Sequence, residues 1–283
     1  MIAAIKNRLA RTDRIAILAM PALLYMVAIF AIPVAGLLLR SFSGPDGFTL
    51  AGYVSFLSDA FNWRVIGNTL RVAAITTLIC LAIGYPTAVA LSRARGFVQV
   101  ALLVAIILPL SVGVIVKAFA WQIVLRRDGI VANILVGLGV WDTPKLLLFT
   151  ETGLIIGAAN LFLPFMILPI YSVLKLVDPN IQDAAATLGA SPLYRFFKVA
   201  LPLAMPGIVS GASIVFSLAV SMYVIPSLLI GDRFQTLATL VGRSFLLMRN
   251  EQLGAVTASV LLALALAIVA FSTWAVRRKG DSR

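Results

Sequence analysis

A polar interruption in this otherwise apolar chain reads DPNIQDAAATLGASPLYRFFKVALP over residues 178–202. Asp178 can cap a helix, Pro179 suits a first helical turn, and Gly189 offers a left-handed stop. This spacing predicts a short helix over 179–188.

The start signal is repeated immediately afterwards by Ser191-Pro192. It predicts a second short helix that reaches about Val199, because Pro202 disfavours continuation. Both helices carry one apolar stripe at helical spacing. The stripe residues are Ile181, Ala184, Ala185 and Leu188 on the first helix, and Leu193, Phe196, Phe197 and Ala200 on the second. The pattern fits an element that docks in a partner's groove, or an amphipathic connector on the membrane surface.

The same stretch resembles the EAA loop of bacterial ABC importer permeases, which decides between these two interpretations. The family pattern is Glu-Ala-Ala, three residues, Gly, nine residues and Ile-x-Leu-Pro. Here Asp183-Ala184-Ala185, Gly189 and Val199-Ala200-Leu201-Pro202 stand at that spacing, with Asp for Glu and Val for Ile. The resemblance implies a coupling-helix pair that inserts into a cleft of a separate ATPase subunit. The coupling residues would be Ile181, Asp183, Ala184, Ala185, Leu188, Gly189, Leu193, Phe196, Phe197 and Pro202.

The composition is that of an integral membrane protein. Hydrophobic residues make up 61% and charged residues 12% of the chain, against about half and a quarter in soluble proteins. The net charge of +12 lies in short basic clusters between apolar spans, which indicates membrane orientation rather than nucleic-acid binding. Cys80 is the one cysteine and histidine is absent, so no metal site is predicted.

Six apolar segments are long enough to cross a bilayer at roughly 1.5 Å per helical residue. They cover residues 15–39, 65–91, 97–125, 153–174, 203–225 and 253–276. A cleaved signal peptide is the competing interpretation of the first, but that segment is too long and lacks a clear cleavage site. The stretches 41–63, 126–150 and 226–252 are interpreted as loops. We predict an all-α membrane protein, one permease domain over 1–283, with coupling loop 178–202 between helices 4 and 5.

Basic residues in short loops orient membrane proteins, because they are retained on the cytoplasmic side. With a cytoplasmic N-terminus, that side receives Lys6, Arg8, Arg11, Arg14, Arg93, Arg95, Lys175, Arg195, Lys198, Arg277, Arg278, Lys279 and Arg283. The other side receives Arg40, Arg64, Arg126, Arg127, Lys145, Arg233, Arg243 and Arg249. We therefore predict a bacterial inner-membrane protein whose termini and coupling loop are cytoplasmic.

The expected partners supply what this chain lacks: a nucleotide-binding motif and a second copy of the EAA-like stretch. It has no phosphate loop of the form G-x-x-x-x-G-K-[ST], so ATP and Mg²⁺ are expected on separate ATPase chains and no cofactor on this one. The resemblance implies two ATP-binding cassette subunits and a periplasmic solute-binding protein. Because one EAA-like stretch and no internal repeat are evident, a two-part pathway needs a second permease, identical or homologous.

Further segments resemble the spermidine/putrescine-type permeases, a subgroup that includes opine and related amino-compound importers. The segment 160–171 resembles their fourth span, 117–121 their Arg-x-Tyr-Ala-Trp motif, and 223–231 their Phe-x-x-Pro-x-Leu-Leu-Gly motif. The expected function is therefore import of a small polyamine, opine or amino-acid-derivative solute by alternating access, without catalysis by this chain. A secondary transporter is the alternative, which would favour intramembrane carboxylates or broken-helix repeats. A membrane enzyme would need a catalytic constellation, and none is recognisable.

Polar residues inside the apolar segments are the candidates for the solute pathway. They are Lys117, Trp121, Asn160 and Tyr223, each of which has a structural alternative as a helix contact or an interface marker. Arg71 is better interpreted as snorkelling to the outer interface. Polyamine-type relatives often have an acidic residue where this chain has Met222, so we expect a zwitterionic or carboxylated amino compound.

Overall fold

The computed structural model describes residues 2–44, 47–178, 180–231 and 234–280, with side chains outside the description at 2–19, 182, 183 and 271–280. The described chain is almost entirely helical. In chain order the helices are α1 (Ile2–Ser41), α2 (Ala51–Ser58), α3 (Ala60–Arg93), α4 (Gly96–Ile107), α5 (Val114–Val124), α6 (Ile130–Gly137), α7 (Glu151–Lys175), α8 (Asn180–Thr187), α9 (Pro192–Arg195), α10 (Leu201–Ser221), α11 (Val224–Leu229), α12 (Leu237–Leu246) and α13 (Glu251–Gly280). Strands β1 (Ser43–Gly44) and β2 (Gly47–Phe48) form a small antiparallel hairpin.

Five helical stretches of the described chain are long and apolar enough to cross a membrane, and a bent pair of helices makes up to six. They are Met20–Ser41, Ala60–Arg93, Glu151–Lys175, Pro192–Ser221 and Glu251–Ala270, with Gly96–Ser111 and Val114–Val124 as the bent pair. The prediction of an all-α membrane fold is thereby confirmed.

The predicted third span, 97–125, is not one straight helix. Helix α4 passes into a short 3₁₀ segment, Leu108–Ser111, and α5 leaves it at an angle of 101°. Pro109 lies in the 3₁₀ turn and Gly113 caps α5, so the backbone lacks one donor at the bend and gains conformational freedom.

All three stretches predicted as loops contain helices, and the stretch 126–150 contains α6. Within 41–63 the chain forms the β-hairpin and α2, and α3 already begins at Ala60. Within 226–252 lie most of α11 and all of α12, whose start is fixed by a capping box between Thr236 and Thr239. The buried apolar face of α12 packs with α2, α3 and α13, so tertiary burial stabilises a helix too short to span.

Helices α3, α7 and α10 form the centre of the bundle, because small residues let their backbones approach closely. A methyl group added to Gly207 would lie 2.8 Å from the Ile170 Cα, and one added to Gly211 would lie 3.0 Å from the Met166 carbonyl oxygen. The side chain of Met166 fills the space over Gly84 on α3. This is the small-residue packing of membrane helices, with Gly207 and Gly211 in a G-x-x-x-G arrangement.

Two ion pairs join helices at the end of the bundle where α3 begins. Arg40 of α1 pairs with Glu251 of α13. Arg71 of α3 pairs with both oxygens of Glu151, the first residue of α7, with 2.8 Å between its Nε and Oε1. Arg71 therefore has a fixed carboxylate partner, where the sequence predicted a side chain that snorkels to the interface.

Candidate functional site

The first helix of the coupling segment, residues 178–202, is α8, and it ends as the sequence predicts. The Asn180 N–H donates to Asp178 Oδ1 at 2.9 Å, which caps the start. At the other end Gly189 has φ of 81°, and the Ala190 N–H donates to the Ala185 carbonyl at 3.1 Å. A left-handed glycine closing the final carbonyls is the usual helix stop. The predicted first residue, Pro179, lies outside the described residues, as does the side chain of Asp183.

The second coupling helix differs from its prediction, because it does not stop before Pro202. Ser191 Oγ accepts the Tyr194 N–H at 3.3 Å, and α9 continues through a π-helical segment, Phe196–Ala200, directly into α10. The Leu201 N–H donates five residues back to the Phe196 carbonyl. This wider turn accommodates the missing donor of Pro202, so the helix continues past the predicted stop and runs from Pro192 to Ser221.

The apolar side chains of the coupling segment do not all face the same way: four are exposed to the outside, and one packs against the helix bundle. The outward side chains are Ile181, Leu188, Leu193 and Phe197, which are 42, 87, 72 and 58% exposed. We call these four the docking row. Phe196 instead turns towards α3, with its ring 5.8 Å from that of Tyr85 in an edge-on contact. Ala184 is exposed, and Ala185 and Pro202 are half-buried.

Two of the four predicted pathway residues, Trp121 and Asn160, are hydrogen-bonded to each other. Trp121 Nε1 on α5 donates to Asn160 Oδ1 on α7 at 3.2 Å. Lys117 lies one helical turn before Trp121, on the same side of α5, and its ammonium has no hydrogen-bond or ion-pair partner among the described residues. Asn160 is exposed and the other two are half-buried, so this polar group lies on an open surface of the single chain.

Tyr223 occupies a separate position, in the break between α10 and α11. Its ring covers Gly242 of α12, where an added methyl group would lie 2.4 Å from the ring carbon Cε2. The side chain is 42% exposed. The structure therefore places Tyr223 against α12.

Sequence reasoning missed two polar residues that hold these elements in place. Gln122 Nε2 of α5 donates to the Leu228 carbonyl of α11 at 2.7 Å. Thr69 Oγ1 of α3 accepts the Leu237 N–H at the start of α12, at 2.9 Å. Both side chains lie within apolar segments, and that placement is the signal that could have selected them.

The fold and the coupling segment define a membrane-spanning permease whose energy comes from another subunit. The family of binding-protein-dependent transport system inner membrane components matches residues 81–279. The chain belongs to this family, so it is the permease subunit of an ATP-driven importer, it is not an enzyme, and ATP is used by separate ATPase subunits. The prediction of an ABC importer permease is confirmed, and nothing favours an ion-driven secondary transporter.

Similar curated proteins include spermidine/putrescine transport system permease proteins. The PotB protein of Haemophilus influenzae is 34% identical over 219 residues, covering 76% of each chain. The PotB protein of Escherichia coli K12 is 33% identical over 231 residues, covering 82% of this chain and 83% of the relative.

Solved structures share the fold at low identity. The bacterial alginate ABC transporter in complex with alginate pentasaccharide-bound periplasmic protein has a TM-score of 0.78 at 16% identity, covering 96% of each chain. The inward-facing MetNI methionine ABC transporter has a TM-score of 0.57 at 19% identity, covering 78% of this chain and 98% of that one.

Proposed function

We propose that the coupling segment docks on a partner ATPase through the docking row, with Ala184, Ala185 and Gly189 allowing close approach. The observation that carries this proposal is the row itself: four large apolar side chains stand exposed on the capped segment 178–202, two of them on α8 and two at the start of the helix Pro192–Ser221. Such surfaces mark protein interfaces, and a helix with an apolar face is a common docking element. Two ATPase subunits would hold the ATP and Mg²⁺, and this chain would bind no cofactor.

The continuous helix from α9 into α10 supports a direct mechanical link between ATPase and pathway. Movement of α9 by a closing ATPase dimer would tilt α10 or flex it at the π-helical segment Phe196–Ala200. Because α10 packs against α7 along Gly207 and Gly211, that movement reaches the helix that carries Asn160. Alternating access would follow, with solute received from a periplasmic binding protein.

A second permease, identical or homologous, would complete the pathway. Two of the clefts on the described surface have volumes of about 690 Å³ and about 1280 Å³, and Lys117, Trp121, Asn160 and Tyr223 line neither of these two. These residues lie half-buried or exposed on the single chain. Polar groups facing bilayer lipid are costly, so a facing protein surface would enclose them.

The proposed orientation places the coupling segment and both termini in the cytoplasm. Single cysteines at Ser191 and Asp142, in a Cys80→Ser background, are expected to react from opposite sides of the membrane, because one span, α7, separates them. The background should fold, since Cys80 Sγ lies 3.5 Å from the Ala159 carbonyl oxygen and a serine hydroxyl can donate there. An impermeant thiol reagent on intact cells should label position 142 only. Labelling of both positions from outside would contradict the orientation.

We propose that the solute is a small amino compound. We further propose that this compound carries a carboxylate. The relatives named above transport spermidine and putrescine, which supports the amino-compound class. In this chain Lys117 adds positive charge near Trp121 and Asn160. Glu151 and Glu251, the first residues of two candidate spans, already pair with Arg71 and Arg40. An ammonium in a low-dielectric pathway favours an anionic group on its ligand.

Uptake by the reconstituted importer with its own binding protein tests this assignment. Carboxylated amino compounds should be transported, and Lys117→Ala should raise their KM by about tenfold, the effect of losing one charge-assisted contact. Lys117→Arg keeps the charge and should restore most of the affinity, whereas Arg126→Ala in the outer loop is the matched control. Saturable transport of putrescine and spermidine alone, unaffected by Lys117→Ala, would overturn the carboxylate assignment.

A further inference from the structure

A basic cleft of about 1280 Å³ lies between the ends of α3 and α7 and the inner side of the coupling segment. Its charged lining consists of the cations Arg93, Arg95, Lys175 and Arg195 and the carboxylate of Asp178. The carboxylate already accepts a backbone N–H, that of Asn180, as the cap of α8. Positive charge from three separate chain segments therefore converges on one concave site, which favours an anionic ligand.

Arg195 supplies the most specific feature of this basic cleft. Its Nε atom is buried and has no hydrogen-bond partner among the described residues. A buried donor without a partner is costly, and such atoms in native structures usually indicate a missing ligand or water. A guanidinium group binds phosphate through two parallel hydrogen bonds, so a phosphate oxygen is the fitting acceptor.

The basic cleft and the docking row occupy different sides of the same segment. Pro192, Arg195, Phe196 and Ala200 line the cleft at helical spacing, whereas no docking-row residue does. Phe196 closes this inner side against Tyr85 of α3. A partner seated on the docking row would therefore leave the basic cleft available to a second ligand.

We propose that the basic cleft binds the phosphate of an anionic membrane phospholipid. Its walls are the ends of the candidate spans α3 and α7. In the proposed orientation these ends lie at the cytoplasmic face, where cationic pockets attract anionic lipid. Val89, Leu174 and Phe196 add apolar surface beside the cations, which suits the glycerol and upper acyl chain rather than a free anion. The proposal rests on the cytoplasmic placement of the coupling segment.

A lipid bound in the basic cleft would affect the coupling of ATP hydrolysis to transport. Its phosphate would bridge Lys175, at the end of α7, to Arg195, which immediately precedes the π-helical segment Phe196–Ala200. The position of α9 relative to the bundle would then depend on the headgroup. Anionic lipid should raise the coupling of ATP hydrolysis to transport without contacting the ATPase.

The test uses the whole importer in vesicles of phosphatidylethanolamine, with and without phosphatidylglycerol. Native mass spectrometry of the released complex measures retained phosphatidylglycerol, and binding-protein-stimulated ATPase activity is measured in parallel. Arg195→Gln should reduce the retained lipid about tenfold, the equivalent of one charge-assisted contact, and should remove the lipid dependence of the activity. Arg195→Lys should retain part of both.

Lys198→Gln is the matched control, because it removes a cation from the same segment outside the cleft. The control should keep the wild-type lipid retention and lipid dependence. Equal losses in Arg195→Gln and Lys198→Gln would overturn the proposal in favour of general surface charge. Inorganic phosphate that replaces phosphatidylglycerol in neutral vesicles would overturn it in favour of a free-anion site. Lipid retention is measured independently of transport, whereas cysteine labelling tests the proposed orientation. Failure of the lipid proposal is therefore distinguishable from failure of the orientation.

Discussion

Gly189→Asp is expected to uncouple ATP hydrolysis from transport while leaving the protein inserted in the membrane. Gly189 has φ of 81°, and a Cβ added there would have no described atom within 4 Å, so in the proposed complex the new carboxylate would enter the docking interface. Burying an unpaired carboxylate in that interface costs about 3 kcal/mol, or roughly a hundredfold in docking affinity. Solute uptake and binding-protein-stimulated ATPase activity of the reconstituted complex measure the effect.

Gly189→Asn separates the charge from the backbone conformation. Asparagine tolerates the left-handed region and is nearly the same size as aspartate, so this variant should retain most of the coupling. Ala185→Asp, on the half-buried side of α8, should uncouple as well. Normal transport and normal stimulated ATPase activity in both aspartate variants would show that the segment does not dock there.

The coupling segment was predictable because its signals are local. Asp178, Gly189 and Ser191 each act on backbone groups within a few residues, and all three act as the sequence indicates. The predicted helix stop before Pro202 is not observed, because a proline removes one backbone hydrogen bond without excluding a helix. The π-helical segment before it supplies another pairing for the backbone, and tertiary packing of α10 against α7 then favours a continuous helix.

The bend in the third span has local signals, Pro109 and Gly113, that hydropathy does not detect, whereas the partner of Arg71 depends on contacts between distant parts of the chain. Hydropathy over 97–125 is continuous, so the 101° turn between α4 and α5 leaves no trace in it. Glu151 lies far from Arg71 in sequence, and only the packing of α3 on α7 brings the two charges together. The same limit applies to Trp121 and Asn160, which were selected separately and prove to be hydrogen-bonded.

Close packing of α7 on α10 would carry the proposed movement of the coupling segment to Asn160, and this packing is sensitive to a single methyl group. Gly207→Ala would place a Cβ 2.8 Å from the Ile170 Cα and 2.9 Å from the Pro169 carbonyl oxygen. Backbone atoms cannot rotate away, so the two helices must separate. Overpacking of this kind costs about 1–3 kcal/mol, and the larger Gly207→Val should prevent accumulation of the folded protein.

The comparison among glycines makes this last prediction specific. At Gly211 the nearest atom to an added Cβ is the Met166 carbonyl oxygen at 3.0 Å, followed by the mobile Sδ of the same residue at 3.1 Å, and at Gly67 of α3 no atom lies within 4 Å. The loss of thermal stability in detergent should therefore decrease from Gly207→Ala to Gly211→Ala to Gly67→Ala. Equal stability of all three would mean that α7 and α10 do not approach as closely as the structure shows. A loss confined to Gly207 and Gly211, accompanied by lost coupling in the milder Gly211→Ala, would place the transmission of movement from ATPase to pathway at this helix contact.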